Sequence, residues 1–253
     1  MDPELKRAII DDLDRFVRKE EFYKKVGKAW KRGYLLYGPP GKGKSSLIAA
    51  MANYLKFDIY DLELSGLYDD SDLKRTLLAT SNRSKLVIED IARLHHAGAG
   101  CRELQGSLVI CCVASVLKIL QYTLNGLLNF MDGLWSCLGD KRIVVFTANH
   151  KDRLDPALLR PGRMDVHINM SYCASHGFKL LASNYHGITN RQSQHLYGEI
   201  EALIDSTEVT PVEVAEELTK SDDANVAFEA LFNFLQRKKA PSFEIKDEGT
   251  NIK

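Results

Sequence analysis

A glycine-rich segment has the composition and spacing of a phosphate-binding loop. Residues 38–45 read GPPGKGKS, which fits G-x-x-x-x-G-K-[ST], and they lie between an apolar run at 34–37 and a helical pattern. Glycines let successive backbone N–H groups point inward, and the following helix adds its positive dipole end. We therefore predict nucleotide binding rather than a simple turn, with Lys44 on the β- and γ-phosphates and Ser45 on Mg²⁺.

Two carboxylates follow another apolar run. Residues 86–88 read LVI and precede Glu89 and Asp90. Mg²⁺ prefers hard oxygen ligands and an attacking water needs a polarising group, so these side chains are candidates for both tasks. The pattern alone also fits an ordinary strand end. Its position after the glycine-rich loop favours the functional interpretation.

An amide and two guanidinium groups come later in the chain. Asn149 follows the apolar run 143–146, so a parallel strand would deliver its amide to the same edge of the sheet, where it could orient water. Arg160 and Arg163 flank a Pro-Gly turn that could aim both side chains. Taken singly, Asn149 also fits a turn, and surface arginines usually make weak, solvated contacts.

Alternating strands and helices must position these groups. Apolar runs at 34–37, 57–64, 86–88 and 143–146 are typical of buried parallel strands, and helical patterns separate them. We predict an α/β fold with a parallel sheet flanked by helices. The alternating apolar residues at 166–170 indicate a last strand, after which the patterns are helical.

The predicted organisation has four parts. An N-terminal helix spans 1–26, the α/β core 27–170, a small helical domain 171–239 and a flexible tail 240–253. In the helical domain, Thr210 begins a capping box with proline at the first helical position.

Charge and cysteine usage restrict the class of protein. Lys plus Arg equals Asp plus Glu at 34 each, so no strong basic field attracts a phosphate backbone, and we expect no nucleic-acid partner. The 5 cysteines are odd in number and form no C-x-x-C pair, which favours free thiols in a reducing compartment. The longest apolar run, 108–120, is shorter than the roughly 18–20 residues that cross a bilayer. No targeting segment is evident, and we expect a soluble chain as written.

Together, these motifs resemble those of the AAA ATPases, P-loop NTPases that combine the loop with an acidic strand end, a sensor asparagine and paired arginine fingers. The segments LLYGPPGKGKSS and LDPALLRPGRMD carry most of the resemblance. Residues 2–16, 27–56, 86–91 and 121–172 are similar to the plant BCS-type branch, relatives of the mitochondrial chaperone that translocates the Rieske iron-sulfur protein. Residues 210–239 resemble the small helical lid of that branch.

The resemblance implies roles for the individual residues. ATP and Mg²⁺ would contact the loop residues Gly38, Pro39, Pro40, Gly41, Lys42, Gly43, Lys44, Ser45 and Ser46. Glu89 would organise the metal shell with Ser45, and Asp90 would activate water, although their adjacency leaves that division open. Asn149 matches the sensor. Arg160 and Arg163 match fingers that reach the next subunit's γ-phosphate, where a finger contributes roughly 10³–10⁵ in rate.

The expected function follows from that assignment. The resemblance implies Mg²⁺-dependent ATP hydrolysis in a homo-oligomeric ring, coupled to remodelling or translocation of an unknown protein. It also suggests a mitochondrial membrane location, with membrane contact made through a region outside this chain.

Three departures from the family pattern leave alternatives open. Lys42 replaces the usual threonine, Ala92 replaces an aspartate, and residues 93–120 lose the resemblance, which resumes at Gln121. We hypothesise that 93–120 is translated non-coding sequence or a splice variant. A nucleotide-binding assembly module with little hydrolysis is the alternative function, because this segment follows the strand that carries the acidic pair and could misplace Asp90. A metal site on His95, His96 and Cys101 is disfavoured, since no fourth ligand follows at a usual spacing.

Overall fold

A computed structural model describes residues 1–62, 75, 84–88, 132, 141–188 and 196–239. The chain divides into two compact units, one of Pro3–Ser171 and the other of Tyr172–Lys253 together with Met1–Asp2. Their border lies one residue beyond the predicted end of the α/β core.

The first unit is built on a five-stranded parallel sheet of order β2-β3-β4-β1-β5. Its strands are β1 (Lys31–Tyr37), β2 (Asp58–Asp61), β3 (Ser84–Ile88), β4 (Arg142–Ala148) and β5 (Val166–Asn169). All neighbouring strands are parallel, which confirms the predicted α/β fold class. The predicted strands at 57–64 and 166–170 are shorter in the structure, where Met170 follows β5.

The middle strands explain the apolar runs in the sequence. Leu35 and Leu36 in β1 and Val145 and Phe146 in β4 are fully buried. A parallel sheet is covered on both faces, so its central strands are apolar at consecutive positions rather than at alternate ones. These strands form the rigid base for the loops that follow them.

The N-terminal segment forms two helices, α1 (Pro3–Arg18) and α2 (Glu20–Val26), instead of the single predicted helix. The indole Nε1 of Trp30 donates to the carbonyl oxygen of Phe16 at 3.0 Å. The N–H of Lys19 also bonds that oxygen, at 3.4 Å. Since this carbonyl would otherwise accept the N–H four residues on, its capture explains why the helix ends here.

Helix α1 is fastened to the sheet by Asp12. Arg32 donates to both carboxylate oxygens, at 3.0 and 2.6 Å, and the hydroxyl of Tyr34 donates to Oδ2 at 2.7 Å. Burial, with a contribution from the Asp12 hydrogen bond, raises the pKa of Tyr34 well above its ordinary value. Tyr34 therefore remains a neutral donor at physiological pH.

The second unit is helical, as predicted. Its helices are α4 (Ser175–His186), α5 (Tyr197–Ser206), α6 (Pro211–Leu218) and α7 (Ala224–Lys239), while α3 (Lys44–Leu55) belongs to the first unit. The rings of Phe178, Tyr197 and Phe228 form its core, with centroids 5.0 to 6.2 Å apart. The predicted capping box at Thr210 is confirmed. In the described part of the chain, no helix combines the length and apolarity needed to span a membrane.

Replacing Asp12 by alanine should lower the free energy of unfolding by about 1–3 kcal/mol, because two part-buried donors lose their shared acceptor. Urea denaturation followed by circular dichroism measures this. Asp14→Ala is the matched control on the same helix. Asp14 bonds the largely exposed Arg18 and the exposed Tyr54, so its loss should cost at most about 1 kcal/mol. Equal losses for the two variants would contradict the role given to Asp12.

Candidate active site

The carboxyl ends of β1, β3 and β4 meet at one edge of the sheet. Tyr37 pairs with Ala148, and Ile88 pairs with Phe146, so the three strands end at nearly the same level. The glycine-rich loop follows β1, and Asn149 follows β4. In open α/β sheets this is the edge at which ligands bind.

Backbone hydrogen bonds on both sides fix the start of the loop. The N–H of Gly38 donates to the carbonyl of Ala148 at 3.1 Å, and the N–H of Met170 donates to the carbonyl of Tyr37 at 2.8 Å. Gly38 has φ +139°, and a Cβ there would lie 2.3 Å from the carbonyl oxygen of Met170. Only glycine fits this close approach.

The loop then leads into the first turn of α3. Gly43 adopts the left-handed conformation at φ +84° and forms the N-cap of this 12-residue helix, which begins at Lys44. The N–H groups of a helix's first turn have no partners within the helix, and they carry its positive dipole end. Ser45, in this first turn, is exposed and offers a hydroxyl oxygen. The backbone therefore has the form of an anion-binding site.

The remaining loop residues differ in exposure. Pro39, Pro40, Gly41 and Ser46 are exposed. Lys42 is instead buried, with 3% of its surface accessible. The sequence pattern, in which Lys42 replaces the usual threonine, gives no indication of this burial.

Lys44 and Asn149 are in direct contact. The ammonium Nζ of Lys44 donates to Asn149 Oδ1 at 2.9 Å and to the carbonyls of Gly38 and Pro39 at 2.6 and 3.1 Å. The predicted phosphate ligand and the predicted sensor thus lie within one hydrogen bond of each other, although they are far apart in sequence. A phosphate oxygen would compete with neutral acceptors for this ammonium, and charge-assisted bonds are the stronger ones.

The acidic pair lies outside the described residues. Glu89 and Asp90 follow Ile88, the last residue of β3, and their predicted roles in metal binding and water activation stay predictions. The same holds for Ala92, for residues 93–120 and for the histidines and cysteine within them. Over the ranges that are described, no cluster of three or more His, Cys, Asp or Glu could hold a metal.

The two predicted finger arginines differ in their surroundings. Arg160 is exposed. The side chain of Arg163 is only 12% exposed and forms an ion pair with Asp132. Its Nη1 also donates to the carbonyl of Ala157 at 2.7 Å. Sequence analysis missed Asp132, because no local pattern links it to an arginine this far along the chain.

Comparison with known proteins decides the family. Residues 34–172 match the ATPase family associated with various cellular activities (AAA), and residues 173–248 match the At3g28540-like, AAA+ ATPase lid domain. The chain belongs to the AAA ATPase family. Membership implies ATP binding, and the glycine-rich loop between β1 and α3 is the P-loop of this AAA core.

Curated plant proteins match nearly the whole chain. AAA-ATPase At2g18193 of Arabidopsis thaliana is 59% identical over 98% of this chain and 48% of its own length. AAA-ATPase At5g17760 of the same plant is 59% identical over 96% of this chain and 48% of its own. Protein HYPER-SENSITIVITY-RELATED 4 is 52% identical over 94% of this chain and 41% of its own. The chain therefore spans about half the length of the curated relatives it matches.

Gly38→Ala should destabilise the AAA core and weaken nucleotide binding, because the new methyl group would press on the carbonyl of Met170. We expect a loss of more than about 2 kcal/mol, since a side chain held at this sparsely populated φ alone costs about 1–3 kcal/mol. Thermal unfolding and binding of a fluorescent ATP analogue measure the two effects.

The matched control is Gly27→Ala. Gly27 also has a positive φ, of +63°, but a Cβ there meets nothing within 4 Å. Its loss should be limited to about 1–2 kcal/mol, with nucleotide binding unchanged. If the two variants behaved alike, the close approach at Gly38 would not matter.

Proposed function

We propose that this AAA chain hydrolyses ATP to ADP and phosphate, with Mg²⁺, as one subunit of a ring of identical subunits. The observation that carries the proposal is the contact of Lys44 with Asn149 at the end of β4. It joins a cation for the transferred phosphate to an amide that can orient water.

Each described residue of the loop has a task in this reaction. The backbone N–H groups at the start of α3 hold the phosphates, and Lys44 neutralises charge on the β- and γ-phosphates. Ser45 supplies one hard oxygen ligand for Mg²⁺, with Glu89 as the proposed carboxylate in its shell. Bound Mg²⁺ would neutralise charge that develops on the phosphate oxygens.

Asn149 changes partners in this scheme. Its Oδ1 accepts from Lys44 while the ammonium is held by the loop carbonyls. When Lys44 turns to a phosphate oxygen, the amide is released and can orient the attacking water. Asp90 is proposed to take the proton of that water, because it follows the strand next to β4.

A nucleotide-binding module that hydrolyses little is the second candidate. It is favoured by the loss of family resemblance over 93–120, a segment that begins three residues after Asp90. Steady-state phosphate release from the purified chain separates the two. Turnover that rises with protein concentration, as subunits assemble, supports the enzyme.

Three further proposals about this chain rest on its resemblance to the BCS-type branch. Coupling to protein remodelling or translocation, membership of the BCS-type branch and a mitochondrial location are proposed from the similarity of 27–56 and 121–172 to that branch. AAA proteins typically assemble into rings, which supports the homo-oligomer.

Lys44→Ala should weaken ATP binding at least tenfold and abolish phosphate release, because it removes the ammonium group that neutralises charge on the β- and γ-phosphates. Binding of a fluorescent ATP analogue and a phosphate assay measure the two effects. Lys25→Ala removes an exposed lysine on α2 and should behave like wild type. Full turnover in Lys44→Ala would refute the assignment.

Asp90→Asn should leave ATP bound but uncleaved, because an amide retains the shape of the carboxylate and cannot accept a proton. Phosphate release should fall by at least about 100-fold, the lower range for loss of a general base. Removal of Mg²⁺ with EDTA should stop release in wild type as well. Unchanged release in Asp90→Asn would show that another group activates the water.

A further inference from the structure

The turn at 160–163 carries two arginines whose donors are used differently. Arg163 directs Nε to the carboxylate of Asp132, at 3.0 and 3.1 Å, and pairs its Nη2 with the same group. Its Nη1 bonds the carbonyl of Ala157 at 2.7 Å. Arg160 is exposed on the same turn. Only one of the two guanidinium groups is thus presented to solvent.

The contact with Asp132 occupies the edge of Arg163 that recognises anions. The Nε and Nη2 groups of a guanidinium form the fork that binds a carboxylate or a phosphate through two parallel bonds. Here the fork already holds a carboxylate. The hydrogen bonds from Arg163 outweigh burial and keep the pKa of Asp132 below its ordinary value. Asp132 therefore stays ionised at neutral pH, and a phosphate would have to displace it.

The backbone of the turn is held against strand β1. Asp165 accepts from the N–H of Gly162 and from the N–H of Gly33 in β1, both at 3.0 Å. The N–H of Asp165 donates to the carbonyl of Gly33 at 2.9 Å. A Cβ at Gly33 would lie 1.7 Å from the carbonyl oxygen of Arg163, so the backbone of the turn packs directly against the backbone of β1. These contacts hold the backbone of the turn, and with it the base of the exposed Arg160 side chain, in a fixed position.

We propose that Arg160 alone is the finger that enters the neighbouring subunit's site, and that Arg163 is a positioning residue whose pairing with Asp132 aims it. The proposal rests on ATP hydrolysis in a ring. It divides two arginines that sequence reasoning treated as equivalent, and it assigns a role to Asp132.

The first test is the rate of ATP hydrolysis in four variants of the full chain. Arg160→Ala should lower kcat about 10³-fold or more, the size of a lost finger, with ATP affinity unchanged. Arg163→Ala and Asp132→Ala should each lower kcat about 10- to 100-fold through misplacement. The double variant Arg163→Ala/Asp132→Ala should have a kcat no lower than that of either single variant, because each single change already removes the ion pair.

The alternative assignment, with Arg163 as the finger, predicts a different effect of Asp132→Ala on kcat. If Arg163 were the finger, Asp132→Ala would release it, and kcat would stay at or rise above the wild-type value. That result would overturn the proposal, as would equal losses of 10³-fold for Arg160→Ala and Arg163→Ala. Arg163→Lys should restore part of the rate, since lysine can still pair with Asp132. Arg18→Ala, which removes a side chain that is 77% exposed on α1, is the control expected to match wild type.

A second measurement does not depend on hydrolysis. Trypsin should cleave after Arg163 several times faster in Asp132→Ala than in wild type, because the side chain is freed and the turn loosened. Asp14→Ala controls for general destabilisation. Unchanged cleavage in Asp132→Ala would overturn the positioning role even if the chain hydrolyses nothing, whereas absent wild-type turnover with faster cleavage would refute only the proposed ATPase activity.

Discussion

The hydrogen bond from the N–H of Gly38 to the carbonyl of Ala148 joins the end of β1 to the end of β4. Because β1 lies between β4 and β5, the loop that follows β1 has the end of a strand on each side, and β4 supplies this acceptor. On the other side, the N–H of Met170 holds the last carbonyl of β1. The start of the P-loop cannot shift without breaking the sheet, and this places Lys44 within reach of Asn149.

Near its N-terminal end, β1 also holds helix α1 and the arginine turn in place. Asp12 of α1 bonds Arg32 and Tyr34, while Asp165 bonds the backbone of Gly33 and the arginine turn. Three consecutive residues of β1 therefore fix a helix and a turn, and the strand's last residues fix the phosphate loop. Strand β1 therefore links the nucleotide site to the turn that carries Arg160.

The sequence predicted what depends on local pattern. The P-loop, the parallel strands and the Thr210 capping box each follow from residues close together in the chain. The proximity of Asn149 to the loop followed from one topological rule, that parallel strands end at a common edge. The break between α1 and α2 was missed because it depends on Trp30, whose indole takes the Phe16 carbonyl from across a long sequence separation. The pairing of Asp132 with Arg163 was missed for the same reason. The roles of Glu89 and Asp90 stay predictions, since both lie outside the described residues.

The central claim is that the loop amides and Lys44 together bind the polyphosphate of ATP. Calorimetric titration of the folded chain with Mg-ATP tests it most directly, because it requires neither turnover nor ring assembly. The account predicts saturable heat corresponding to one nucleotide per chain, and competition by ADP at the same site. A folded chain that releases or absorbs no heat across the titration, and that gains no thermal stability from Mg-ATP, would contradict it.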